Sequence, residues 1–199
     1  SNMTATLESV MTELEGVDLD SGLDAVASAI AHGSLMGARG NSGVILSQIL
    51  RGLTSALGSA GLDGRIVADG MAAASTAAYA AVGTPVEGTI LTVVREASAA
   101  AVKAADAGAS LLAVAEVARE VGGQSLERTP ELLPVLAEAG VVDAGGYGFV
   151  LFLDALLTAV DGRPLPEPPE VFEEVVARRP DDHQQGVLEG TRYEVMYFL

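Results

Sequence analysis

The chain has 199 residues, 49% hydrophobic but only 4% aromatic, and a formal net charge of −16 from 27 acidic and 11 basic side chains. Such an acid excess argues against nucleic-acid binding by phosphate neutralisation and against attachment to an anionic membrane surface. It reads first as a solubility feature. With no cysteine, a disulfide scaffold and a thiolate metal site are both excluded. No stretch reads as a signal peptide or membrane span, and the expected compartment is the cytoplasm. The apolar content is mostly Ala, Leu and Val, which suits closely packed helices.

In chain order, Leu7, Val10, Met11 and Leu14 fall at helical spacing between Thr4 and Glu15. After a turn over Gly16 to Asp20, Ser21 is the expected N-cap of a helix with Leu23, Val26, Ala27, Ile30 and Ala31 on one stripe. The run GARGNSG, Gly37 to Gly43, should break the helical pattern, with the next helix starting near Ser42. Gly58 and Gly61 end that helix, and Asp63 starts an Ala-rich one running to Val82. A second Gly/Pro loop, GTPVEG from Gly83 to Gly88, leads to a helix opened by Thr89. Ser110 caps another, through Val121, and Thr129-Pro130-Glu131 starts a short one that Gly140 stops. A third loop, DAGGYG from Asp143 to Gly148, leads into a helix through Val160.

The expectation is therefore an all-α fold of seven long helices and one short helix, antiparallel because the links are short. Four prolines between Pro164 and Pro169 mark an extended linker. The strand-like stretch Arg192 to Phe198 reads as the opening of another domain, or as a tail strand that docks on the bundle.

Three Gly-rich loops each lead into a helix, where unpaired N–H groups and a partial positive charge favour an anion. The loops could line one end of a bundle and hold phosphate. Taken singly, such loops are more often ordinary helix–helix turns. GARGNSG lacks the Gly-Lys-Ser/Thr of a Walker A loop, and no Rossmann fingerprint follows a strand. Arg39 and Arg95 are the charged residues nearest the loops, suited to a phosphate contact or, more commonly, a helix-end ion pair. Glu87 is a candidate cap for the following helix. His32 and His183 have no second His at metal-ligand spacing and are read as structural or solvated.

Together, Leu35–Gly52, Gly83–Ala97 and Thr129–Gly148, in this order and spacing, resemble the DhaL-like, or DAK2, domain of the dihydroxyacetone kinase family. The nearest likeness is to the N-terminal domain of bacterial fatty acid kinases, over about Asn2 to Asp161. The resemblance implies an up-and-down helical barrel of eight helices that holds ATP or ADP at one end, with two magnesium ions on an aspartate cluster. It places the nucleotide at Asn41, Ser42 and Gly43 in the first loop, at Thr89 and Ile90, at Asp143, Ala144 and Gly145, and at Asn2, which matches the Asn-Met after the metal loop. The aspartates themselves should lie upstream of Asn2 and, with the family's first helix, are not in this sequence. No metal ligand is assigned here.

By the same resemblance, a helical nucleotide-binding domain is expected over 1–161, a linker over 162–180, and a second domain or docked tail over 181–199. The implied activity is phosphate transfer to a small molecule, most readily an acyl chain carried by a fatty-acid-binding partner protein. The alternatives are the ADP-binding subunit of a dihydroxyacetone (glycerone) kinase and a non-catalytic helical module that binds a partner. Without its magnesium ligands the chain should be inactive alone. A barrel lacking one helix should also expose an apolar groove, to be covered by the C-terminal tail or by a second copy in a homodimer.

Overall fold

The computed structural model describes residues 2–57 and 61–167, and every regular element among them is helical. Seven long helices are α1 (Asn2–Glu15), α2 (Gly22–Gly37), α3 (Gly40–Ser55), α4 (Gly64–Ala80), α5 (Ile90–Asp106), α6 (Leu111–Glu127) and α9 (Ala144–Asp161). The short α7 (Thr129–Leu132) and α8 (Pro134–Ala139) lie between α6 and α9. From α1 to α6 each long helix packs on its successor, and α6 then packs on α9. The links are too short for crossovers, so the helices run up and down in the DhaL-type arrangement. This helical unit spans Ser1–Leu165. The strand-like stretch, His183 and most of the proposed linker lie outside the described residues.

The core centres on α5, whose Val93, Val94, Ala97 and Ala101 are fully buried against α4, α6 and α9. Small residues set the spacing. A Cβ on Gly52 of α3 would fall on the backbone of Ala73 and Ala74 in α4, so these helices meet at backbone contact. Larger side chains, Met71, Phe149, Leu153 and Ile49, fill the space this leaves.

Side-chain caps fix four of the helix starts, those of α4, α5, α6 and α9, each worth about 1 kcal/mol. The carboxylate of Asp63 accepts from the Ile66 amide at 2.8 Å, Ser110 from Ala113 at 3.3 Å, and Asp143 from Gly146 at 2.7 Å. Two predicted starts differ. Ser21 precedes α2 but makes no capping bond, because a 3-10 turn over Leu19–Ser21 intervenes and Asp18 caps that turn. Thr129 lies inside α7, whose N-cap position is Arg128. The single short helix expected after Thr129 is two, since Pro134 has no N–H to continue α7 and opens α8 instead.

An apolar cavity of about 210 Å³ lies between α9 and α2–α4, lined by Ile30, Leu50, Leu53, Ile66, Phe152 and Leu156 among others. Leu7 and Met11 of α1 and Leu151 of α9 are exposed. By length and composition α9 could cross a membrane. In this bundle it is a core helix, burying Phe149, Val150, Leu153 and Leu157, and its Asp154 accepts two bonds from Arg119 of α6 at 2.6 and 3.1 Å.

Candidate functional site

Antiparallel packing puts the N-termini of α1, α3, α5 and α9 and the C-termini of α2, α4 and α6 at one end. Close approaches tie them together there. Asn2 at the start of α1 touches Gly40 at the start of α3, and Met3 lies against Gly148 in the first turns of α9. Gly145 packs on Ile90 of α5, Gly88 packs on Leu132 and Leu133 in and just after α7, and the Asp143 amide donates to Thr129 Oγ1 at 3.1 Å. The three Gly-rich segments, 40 or more residues apart in the chain, therefore share one end of the bundle.

The first segment is not the loop its composition predicts. Helix α2 continues through Gly37, α3 begins at Gly40, and only Ala38 and Arg39 separate them. The glycines face α1. A Cβ at Gly37 would strike the Ser9 side chain, one at Gly40 the Asn2 amide, and one at Gly43 the Thr6 hydroxyl at 2.8 Å. Thr6 Oγ1 also lies 3.3 Å from the Gly37 carbonyl and donates to Asn2 O at 3.0 Å. Tertiary contact with α1 thus outweighs the poor helix propensity of glycine. Gly40 takes φ +59°, a left-handed corner that side chains with a Cβ rarely adopt.

What this start offers a ligand is its backbone. No side chain caps α3, and the amides of Gly40, Asn41 and Ser42 have no partner among the described residues. Asn41 is exposed, Ser42 half-buried and Gly43 buried. The guanidinium of Arg39 donates to the carbonyls of Met36 and Ala38 at 3.1 and 2.8 Å, tying off the end of α2. Such an uncapped N-terminus is suited to an anion.

The other two starts are partly satisfied by their own residues. Thr89 caps α5 loosely, accepting from Leu91 N at 3.4 Å while donating to Val86 O at 2.7 Å. Ile90 is 4% exposed and belongs to the core. The Asp143 carboxylate is occupied by the Gly146 amide; Ala144 is exposed and Gly145 half-buried beside it. Nothing among the described residues forms a group of three His, Asp or Glu able to hold a metal ion. A magnesium site does not fit the side chains of this end. His32 sits away from it, 3.3 Å from Glu13 across α1 and α2.

Sequence reasoning missed a polar cluster around Glu87. The expected helix cap at this position is absent; its carboxylate instead accepts from Tyr79 Oη at 3.0 Å, Thr92 Oγ1 at 2.7 Å and Arg95 at 2.9 Å. Thr92 Oγ1 in turn accepts the buried Gly88 amide at 2.9 Å. Arg95 also lies 3.7 Å from Glu96, which pairs with Arg128 at 2.6 Å. The hydrogen bond from Thr92 is the main cause holding the Glu87 carboxyl below its ordinary range. Burial first, then the bond to Glu87, pushes the Tyr79 phenol up to about 12. No local pattern in the sequence announces a cluster drawn from two helices and a loop.

The fold defines an all-α, up-and-down domain whose Gly-rich end gathers the N-termini of four helices. The chain belongs to the DAK2 domain family, whose model matches residues 1–158. It is similar to Protein YloV of Bacillus subtilis (strain 168), 41% identical over 168 residues, which cover 84% of this chain and 30% of that protein. It is also similar to uncharacterized proteins of Staphylococcus aureus strains USA300 and RF122 / ET3-1, each 40% identical over 163 residues, covering 81% of this chain. The chain spans about 30% of the length of these relatives.

Proposed function

We propose that this chain holds ADP or ATP at the end where α1, α3, α5 and α9 begin, as the nucleotide-binding part of a phosphotransferase. The observation that carries the reading is the uncapped start of α3, where the amides of Gly40, Asn41 and Ser42 have no partner among the described residues, inside a DAK2-family domain. Backbone donors suit a phosphate in a chain of this negative charge, because they attract the anion without a basic patch. Asn2, Asn41, Ser42 and Gly43, Thr89 and Ile90, and Asp143, Ala144 and Gly145 are the proposed nucleotide residues. Ile90 would act from beneath, by holding Gly145 in place.

The phosphate acceptor proposed is an acyl chain carried by a fatty-acid-binding partner. Its support is the likeness of the three Gly-rich segments to the N-terminal domain of fatty acid kinases. A cytoplasmic location goes with nucleotide use. Phosphoryl transfer relies on metal to neutralise phosphate charge, and the described residues offer no cluster for one. The chain alone is therefore expected to be inactive. The same observation favours a second reading, a non-catalytic helical module that binds a partner.

Calorimetric titration of Mg-ADP into this chain, and into one extended upstream through the expected aspartates, decides between them. Binding by the extended chain, with kinase turnover only there, is expected. Binding by neither moves the assignment to the non-catalytic module.

A further inference from the structure

The Gly88–Thr89 corner has to be held in place, since it is the end of a loop running from Ala81 to the start of α5. Gly88 sits at φ +81°, and a Cβ there would lie 2.8 Å from the Leu133 side chain and 2.9 Å from the Thr129 carbonyl. Its amide points inward to Thr92, so it is not a donor to a ligand. The Thr92 hydroxyl has one proton to give, and it gives it to Glu87. Glu87 thereby fixes which way that hydroxyl points and leaves its lone pair for the Gly88 amide. Without the carboxylate the hydroxyl proton is free to rotate, including toward the Gly88 amide, and the bond that fixes this buried corner is no longer held in one geometry.

Tyr79 of α4 and Arg95 of α5 anchor the same carboxylate, one at each of its two oxygens. The exposed pairs Arg95–Glu96 and Arg128–Glu96 extend the contact to the start of α7, but exposed ion pairs contribute little. The bond from Thr92 is part-buried and charge-assisted, and it is the strong one.

Resting on the nucleotide reading above, we propose that Glu87 is a positioning residue: through Thr92 and Gly88 it sets the corner from which Thr89 meets a nucleoside diphosphate. Glu87 touches no ligand in this scheme. It acts by preorganising a binding group, and small displacements of such groups lower affinity sharply.

The test uses the upstream-extended chain and Mg-ADP, with calorimetry and amide exchange over 83–92. Glu87→Ala is expected to weaken ADP binding about tenfold, a modest value for a displaced group, and to speed exchange at Gly88. Glu87→Gln should stay within about threefold, because an amide oxygen still accepts from Thr92 and Tyr79 Oη can turn to accept from the new NH₂. Thr92→Val, which keeps the carboxylate and removes only its link to Gly88, should reproduce the loss even if Glu87→Ala folds poorly. In a Thr89→Ala background, Glu87→Ala should cost little more, since both act on one contact. Full additivity with Thr89→Ala, or equal affinity in wild type and Glu87→Ala, overturns the proposal while leaving the nucleotide reading intact. A wild-type extended chain that does not bind Mg-ADP overturns the nucleotide reading, and the role of Glu87 with it.

Discussion

Gly43→Ala distinguishes two reasons for the glycine at that position. If Gly43 is there to let a phosphate approach, the added methyl blocks the ligand. If it is there for α1, the methyl strikes protein. The structure favours the second, because the nearest atoms to an added Cβ are Thr6 Oγ1 at 2.8 Å and the Ala38 backbone at 3.4 Å. Alanine brings about 1 kcal/mol of helix propensity over glycine. Against this stand about 1–3 kcal/mol of overpacking and about 1 kcal/mol for loss of the Thr6 hydrogen bond. The net expectation is a loss of about 1–3 kcal/mol, read as a lower urea midpoint at unchanged slope. Thr6→Ala clears the space. The double variant should therefore be less destabilised than the sum of the singles, and it should recover ADP affinity that Gly43→Ala loses. Wild-type stability in Gly43→Ala would refute the packing argument. Recovery of stability without recovery of affinity would return Gly43 to the ligand.

Two further expectations concern charge. Arg119→Met leaves the Asp154 carboxylate, 8% exposed, without its two donors. Breaking a fully buried pair costs about 3–5 kcal/mol; the Arg119 side chain is 34% exposed, so water screens part of this and about 1–3 kcal/mol is expected in denaturation. Adding Asp154→Leu should restore most of the loss, and no restoration would show that the pair is not the cause. The second concerns pH. Folding lowers the Glu87 value from its ordinary 4.5, so its stabilising effect is complete above 4.5 and fades as pH falls through the lowered folded value. The difference in stability between wild type and Glu87→Gln should be constant from pH 6 to about 5 and shrink below about 4. A difference that persists unchanged at about pH 3 would rule out this titration.

Helix periodicity and caps carried most of the fold. Asp63, Thr89 and Ser110 each announced a start, because a capping side chain bonds to amides only two or three residues away; Asp143, read as part of a third loop, is instead the cap of α9, which is already helical from Ala144. The misses are non-local. Gly37, Gly40 and Gly43 resemble a loop when propensity alone is weighed, and only the approach of α1, some 30 residues earlier in the chain, makes them helical or helix-flanking. Thr129 resembled a cap, yet its hydroxyl donates back to Leu126 O and accepts from Asp143 N fourteen residues ahead. Glu87 was read against its neighbour Gly88, while the partners that give it meaning are at positions 79, 92 and 95. The same division runs through the candidate site. The order of three Gly-rich segments is a property of the sequence, and it pointed to one end of a bundle. Which amides at that end remain open is decided by tertiary hydrogen bonds: Gly88 turns its amide to Thr92 and Asp143 claims that of Gly146, whereas α3 starts without a cap. A glycine-rich motif therefore marks where a backbone comes close to something, and packing determines whether that something is a helix or an anion.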